Sequence, residues 1–178
     1  MILIVKSKEP NCLKSLRQQP NTVFNDLKDD CLEETRKSLK VEQKHLCAYC
    51  QRSIEEILKI EHYIPQSTDT SKALDYNNFL GVCSGKYYVD KKTGKHISFC
   101  ENERGNTPLS VNPLDKDKID TIYYDAENKI CSTNNAIHQD INETLNLNFK
   151  ELCDERQEEY NRLIVNIWGM AQRMQLTK

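Results

Sequence analysis

Cys47-Ala-Tyr-Cys50, Glu61-His62-Tyr-Ile-Pro65, Asn77-Asn78-Phe-Leu-Gly-Val-Cys83 and Cys100-Glu101-Asn102-Glu-Arg104-Gly-Asn106 follow one another through the middle of the chain. They give a cysteine pair at knuckle spacing, an acid beside a histidine, an asparagine ahead of a third cysteine, and a fourth cysteine with polar residues behind it. Each feature is weak alone; the order and spacing together are hard to reach by accident. Ile60 to Ile64 alternates as a β-strand does, and Pro65 ends it. Asn78 to Cys83 reads as a second strand.

The 178-residue chain has eight cysteines. In a secreted protein an even number suggests disulfides, but the apolar run Met1 to Val5 is too short for a secretory signal and has no basic segment before it. It reads instead as a β-strand of a cytoplasmic protein. Cys47, Cys50, Cys83 and Cys100 are therefore expected to form a closed, structural Cys₄ zinc site, with a long insertion between the last two. Cys12, Cys31, Cys131 and Cys153 have no pairing spacing and read as buried small hydrophobes.

At these residues the chain resembles the HNH endonucleases of the ββα-metal type, in a zinc-stapled form. CAYC, IEHYIP, YNNFLGVC, CENERGNTPLSVNPLD and INETLNLN, with Arg156 beyond, are similar to PtuB, the small HNH subunit of Septu-type and retron-associated anti-phage systems. The similarity spans residues 45 to 160. It implies an α+β fold in a single domain, 1–178: a zinc-stapled ββα-metal core at 45–112, with helical flanks at 1–44 and 135–178. It further implies a Mg²⁺- or Mn²⁺-dependent endonuclease that hydrolyses nucleic-acid phosphodiester bonds as the toxic effector of a defence complex. The implied partners are a PtuA-like ABC-type ATPase, in retron versions also a reverse transcriptase with its RNA-DNA product, and a DNA or RNA substrate.

Cutting a phosphodiester calls for a general base and a cation. His62 is the candidate base, because an imidazole titrates near working pH. Glu61 would supply a hard oxygen ligand, where aspartate is the family's usual residue. Strand alternation sends the two to opposite faces. Asn78 would orient the imidazole or the loop carrying it, with Asn77 its rival. For the third signature position, strict alignment selects Glu101 and residue type selects Asn102; Asn106 lies one turn beyond. Arg104 would grip the scissile phosphate with its planar fork or form a surface salt bridge. The rival reading is a zinc-knuckle nucleic-acid-binding or adaptor subunit without catalysis. A redox role for Cys47 and Cys50 is disfavoured, since no thioredoxin-like pattern follows.

Net charge is −2, which argues against a bulk electrostatic nucleic-acid binder and leaves room for a local basic site or a partner that supplies the grip. Such a site is offered by a hairpin from Gly85 to Gly94, where Lys86, Lys91, Lys92 and Lys95 lie near Tyr87 and Tyr88; a solvated hairpin is the alternative. A short helix is expected from Cys12 to Gln18, and a longer one from Asn25 to His45 with Leu27, Cys31, Leu32, Thr35 and Leu39 on one face. Arg52 to Leu58 reads as a strand or helix, and Ile119–Tyr124 with Lys129–Cys131 as a hairpin. From Ile141 through Leu145, Leu147, Leu152, Tyr160, Leu163, Ile164, Ile167 and Met174 the pattern is helical. Its apolar side would pack on the core, or near its end Trp168 and Met170 suit docking to a partner. No apolar run approaches a membrane-spanning length.

Overall fold

The strand pair at the centre of the chain is short, because Pro65 closes one strand and a tight turn opens the other. The computed structural model describes residues 1–56, 58–85 and 88–175, the last five by backbone alone. In it β1 (Lys59–His62) runs antiparallel to β2 (Phe79–Val82), with Glu61 opposite Leu80 and His62 opposite Phe79. Every residue of β2 is buried. Gly81 makes this possible, since a Cβ there would lie 2.9 Å from Leu58 Cδ1. At the free edge of β2, buried Gln43 accepts from Gly81 N at 2.6 Å and donates to Gly81 O at 2.7 Å. It does for that edge what a neighbouring strand would do.

One helix covers this pair, and a second packs on the first. α1 (Asn11–Arg17) matches the expected short helix, and α2 (Asp29–Glu42) packs on β2 and buries Leu39. α2 begins later than its periodicity suggests, because Phe24–Asp26 forms a separate 3₁₀ turn in which the Asp26 carboxylate accepts from Val23 N at 2.9 Å. Lys44 and His45, at φ of 52° and 62°, end the helical path before the knuckle. Cys12 and Cys31 are not lone hydrophobes: they are joined as a disulfide between α1 and α2, with Cα atoms 5.6 Å apart. Their separation of 19 residues carries no signal in sequence, and helix packing alone brings them together. Cys131 and Cys153 are free and buried, as expected.

Met1–Val5 forms no strand. Ile4 N bonds Pro113 O at 2.8 Å, and the segment is then held by Lys6, which donates to Phe79 O at 2.5 Å and pairs with Glu42 at 3.4 Å. The described part of Arg52–Leu58 is likewise irregular, with a single bridge between Leu46 and Ser53. The insertion between Cys83 and Cys100 is a hairpin, β3 (Tyr88–Val89) with β4 (His96–Ile97), whose tip exposes Lys91, Lys92 and Lys95. Lys86 and Tyr87 lie outside the described residues. α3 (Glu101–Arg104) follows the fourth cysteine, and α4 (Lys116–Ile119) takes up Ile119, leaving β5 (Ile122–Tyr124) and β6 (Ile130–Ser132) as the expected hairpin.

The C-terminal helical pattern is two pieces. α5 (Asn135–Gln139) runs into a π-turn at Asp140–Thr144, and Asn146, at φ 46°, breaks the path before α6 (Lys150–Gln175). Arg156 braces the break by donating to Leu147 O at 2.6 Å and Asn128 O at 3.2 Å. α6 packs through Leu152 and Cys153, then leaves the body with Trp168 and Met170 exposed; the side chain of Met174 is outside the described residues. Among the described residues the fold is α+β, with three two-stranded antiparallel sheets, and no helix is long and apolar enough to cross a membrane.

Candidate functional site

The knuckle is built by backbone turns that aim sulfurs inward. Cys47 N donates to Arg52 O at 2.7 Å, Ala48 N to Gly81 O at 3.0 Å, and Gln51 adopts φ 64°. Cys83 leaves β2, and Cys100 is returned to it by the hairpin, anchored by Cys100 N on Leu145 O at 2.8 Å. The return needs Gly85, at φ +64°, where a Cβ would lie 2.2 Å from Phe99 O. The four buried sulfurs all lie within 4.8 Å of one another, with Cys50 to Cys83 at 3.6 Å and Cys47 to Cys100 at 4.0 Å. A tetrahedral zinc with Zn–S of about 2.3 Å sets sulfur–sulfur distances of about 3.8 Å. Burial opposes ionisation of Cys47, yet contacts from Cys100, Cys50 and Cys83 hold its thiol well below the usual range. Burial first, then Cys47, pushes Cys50 and Cys100 well above it. Negative charge confined among four sulfurs is what a bound zinc ion would neutralise.

β1 sends its last two side chains to opposite faces, as alternation requires. His62 lies between the rings of Phe24 and Phe79, edge to face at 4.6 and 5.1 Å. Its Nε2 is 3.0 Å from Ala73 O. A carbonyl only accepts, so Nε2 carries the proton and Nδ1 keeps a lone pair, with the Gln66 amide 3.5 Å away. Burial lowers the His62 pKa, the Ala73 carbonyl partly offsetting it, so the ring is neutral near pH 7.

Asn78 holds the loop that supplies that carbonyl. Its Oδ1 accepts from Ile64 N at 2.7 Å, and its Nδ2 donates to Ile64 O at 3.0 Å and Lys72 O at 3.2 Å. Lys72 immediately precedes Ala73. Asn77 is exposed and makes no such tie.

The other face of β1 carries a buried charge network. Glu61 pairs with Arg104, and Tyr49 donates to it at 3.5 Å. Arg104 is neither a surface salt bridge nor free to grip a phosphate. It is 2% exposed, and it donates to Thr107 O at 2.8 Å, Tyr49 OH at 3.1 Å, His62 O at 3.2 Å and Tyr63 O at 2.6 Å. Burial pushes Glu61 up to about 7 against the pull of Arg104, with Glu101 adding repulsion. Glu101 itself pairs with Lys59 at 3.1 Å, Asn102 donates to Ser98, and Asn106 is exposed. Glu61, Glu101 and Asn102 are thus each engaged elsewhere and form no ready cradle for a second cation. Among the described residues the four cysteines are the group of metal-ligating side chains that converges.

Sequence reasoning missed Gln43, Tyr49, Phe24 and Gln66. Glu61 and Arg104 are each singled out by sequence, but nothing in their spacing marks them as partners. No protein-family model matches the chain, and no curated protein matches it.

Proposed function

We propose that the chain is a zinc-stapled HNH endonuclease, a phosphodiester hydrolase of the PtuB kind acting within an anti-phage complex. The observation that carries the reading is His62: a neutral imidazole with Nε2–H fixed on Ala73 O and Nδ1 left as acceptor, on a loop pinned by Asn78. That is the preparation a general base needs. A water placed at Nδ1 loses its proton there while the Ala73 carbonyl steadies the imidazolium that forms. The Cys₄ site, taken as zinc-filled, stiffens the hairpin between Cys83 and Cys100 and so fixes α3 beside β1. Arg104 acts as a positioning residue, tying α3 to the backbone of His62 and Tyr63.

Chemistry of this kind draws on Mg²⁺ or Mn²⁺ for charge at the phosphate. Glu61, the carboxylate next to His62 in sequence, lies on the opposite face of β1 and in this conformation belongs to Arg104. No step is therefore assigned to that cation. The same pairing favours a second reading, an adaptor in which the zinc fold persists without catalysis. The modest net charge suits targeting by partners, the ABC-type ATPase or a reverse transcriptase with its RNA-DNA product. Lys91, Lys92 and Lys95 on the hairpin tip are free to meet nucleic acid, whereas Tyr88 is held by Arg52, whose Nη1 donates to its hydroxyl at 2.8 Å.

The test pairs zinc content with Mg²⁺- or Mn²⁺-dependent cleavage of plasmid and tRNA, for wild type and His62→Ala, with and without the co-expressed ATPase. One zinc per chain and cutting lost in His62→Ala is the expected result. Zinc without cutting under any partner condition selects the adaptor.

A further inference from the structure

Past Leu163, the last residue of α6 to line a cleft with the body, the helix runs on with mostly exposed side chains. Its 26 residues run to about 39 Å, and 158–175 account for about 27 Å of that. Tyr160, Leu163, Ile167, Trp168 and Met170 are each more than half exposed, at 54%, 57%, 59%, 66% and 59%. With half-buried Ile164 they fall on one arc of the helix, and Tyr160, Leu163, Ile167 and Met170 repeat at intervals of three and four, the spacing of a seam between helices. Asn161, Arg162, Asn166 and Val165 lie outside the arc. Such a helix is a poor candidate to stand alone. Gly169 interrupts it, and Ile164, Val165 and Ile167 are β-branched, so its second half depends on packing for its stability.

The stripe is unevenly walled. Its first half, Tyr160 and Leu163, lines a cleft of about 1260 Å³ with Leu152 of the same helix and, from the body, Leu46, Arg52 and Tyr124. The cleft lining does not reach Ile167, Trp168 or Met170. Each chain therefore offers a partly apolar cleft beside the start of the stripe and an apolar ridge at its end.

We propose that α6 pairs antiparallel with α6 of a second copy, each ridge entering the other's cleft. With the two-fold axis at Val165, Met170 of the second copy meets Tyr160, and Ile167 of the second copy meets Leu163; the four residues of the three-four repeat then pair with one another, Trp168 faces Arg162 at the other copy's cleft, and the contact is isologous. Six side chains per copy, each contributing on the order of 100 Å², bury about 600 Å² a side, or about 1,200 Å² in all. That reaches the lower bound of specific dimer interfaces. A parallel pairing would set ridge against ridge and leave both clefts empty. The pairing is independent of the nuclease reading.

Sedimentation equilibrium of the zinc-loaded full chain, up to about 100 µM, is expected to give twice the 20.8 kDa monomer mass. Leu163→Glu with Ile167→Glu is expected to return it to the monomer mass with zinc content unchanged, while Val165→Glu stays dimeric. Register is read on near-native chains: a Tyr160→Cys copy mixed with a Met170→Cys copy is expected to cross-link under a short thiol-reactive linker, and Tyr160→Cys alone is not. That arm decides the matter even if the charged pair of substitutions impairs folding. A monomer throughout the range, equal disruption by Val165→Glu, or cross-linking of Tyr160→Cys to itself would each overturn the proposal.

Discussion

Asn78→Ala removes a single side chain that holds two stretches of backbone in register. Three hydrogen bonds go: Ile64 N onto Oδ1, and Nδ2 onto Ile64 O and Lys72 O. Each nets about 1 kcal/mol, and a donor left without a partner costs about 1–3 kcal/mol more when buried. Ile64 and Lys72 are half-buried, so water recovers part of the loss. The expected destabilisation is about 3 kcal/mol. Urea unfolding in saturating zinc measures it, with Asn77→Ala, an exposed neighbour, as the control expected within about 0.5 kcal/mol of wild type. Hydrogen exchange at the Ile64 amide gives a local readout, since its bond to Asn78 disappears in the variant. A variant within about 1 kcal/mol of wild type, with the Ile64 amide still protected, would refute the pinning role. If the pin holds as described, loosening Lys72 also loosens Ala73 O against His62, and on the proposed nuclease reading cleavage falls while metal content is unchanged.

Arg104→Met is expected to cost about 3–5 kcal/mol, because it strands a buried carboxylate and several backbone carbonyls; adding Glu61→Gln should recover part of that loss, and an Arg104 variant as stable as wild type would return the residue to a phosphate-binding role. The His62 pKa is lowered on folding, so its neutral form contributes stability that is present above the unfolded value of about 6.5 and lost as pH falls below it. Thermal melts of wild type and His62→Gln should therefore diverge in acid, with wild type losing more, and parallel curves would contradict a buried neutral ring. Alkylation of the denatured, zinc-stripped but unreduced chain should label six of the eight cysteines, sparing Cys12 and Cys31; eight labels would remove the bridge.

Reading the chain alone went furthest where function depends on local spacing. The knuckle pair, the Glu61-His62 strand and the strand into Cys83 are legible because turn and strand periods act over a few residues, and all three stand where expected. The helical flanks were legible in existence and blurred at their ends. α2 starts at Asp29 because Asp26 caps a separate turn, and the helix expected from Ile141 breaks at Asn146 because a π-turn and Arg156 redirect the chain. Met1–Val5 has a strand's composition and no strand to pair with; its backbone bonds Pro113, while Ile4 and Met1 join the core and Val5 stays exposed.

The sequence by itself picked out the four cysteines that converge, and singled out the histidine and the asparagine behind it, by residue type and interval. Only the tertiary structure decided how they are used. It turned Arg104 inward onto Glu61, joined Cys12 to Cys31, set Gln43 along Gly81, and left the end of α6 uncovered. The physical reason is common to all four. A guanidinium, a thiol, an amide or an apolar stripe carries no record in sequence of its partner, because the partner is chosen by which elements pack together and which faces that packing leaves to water.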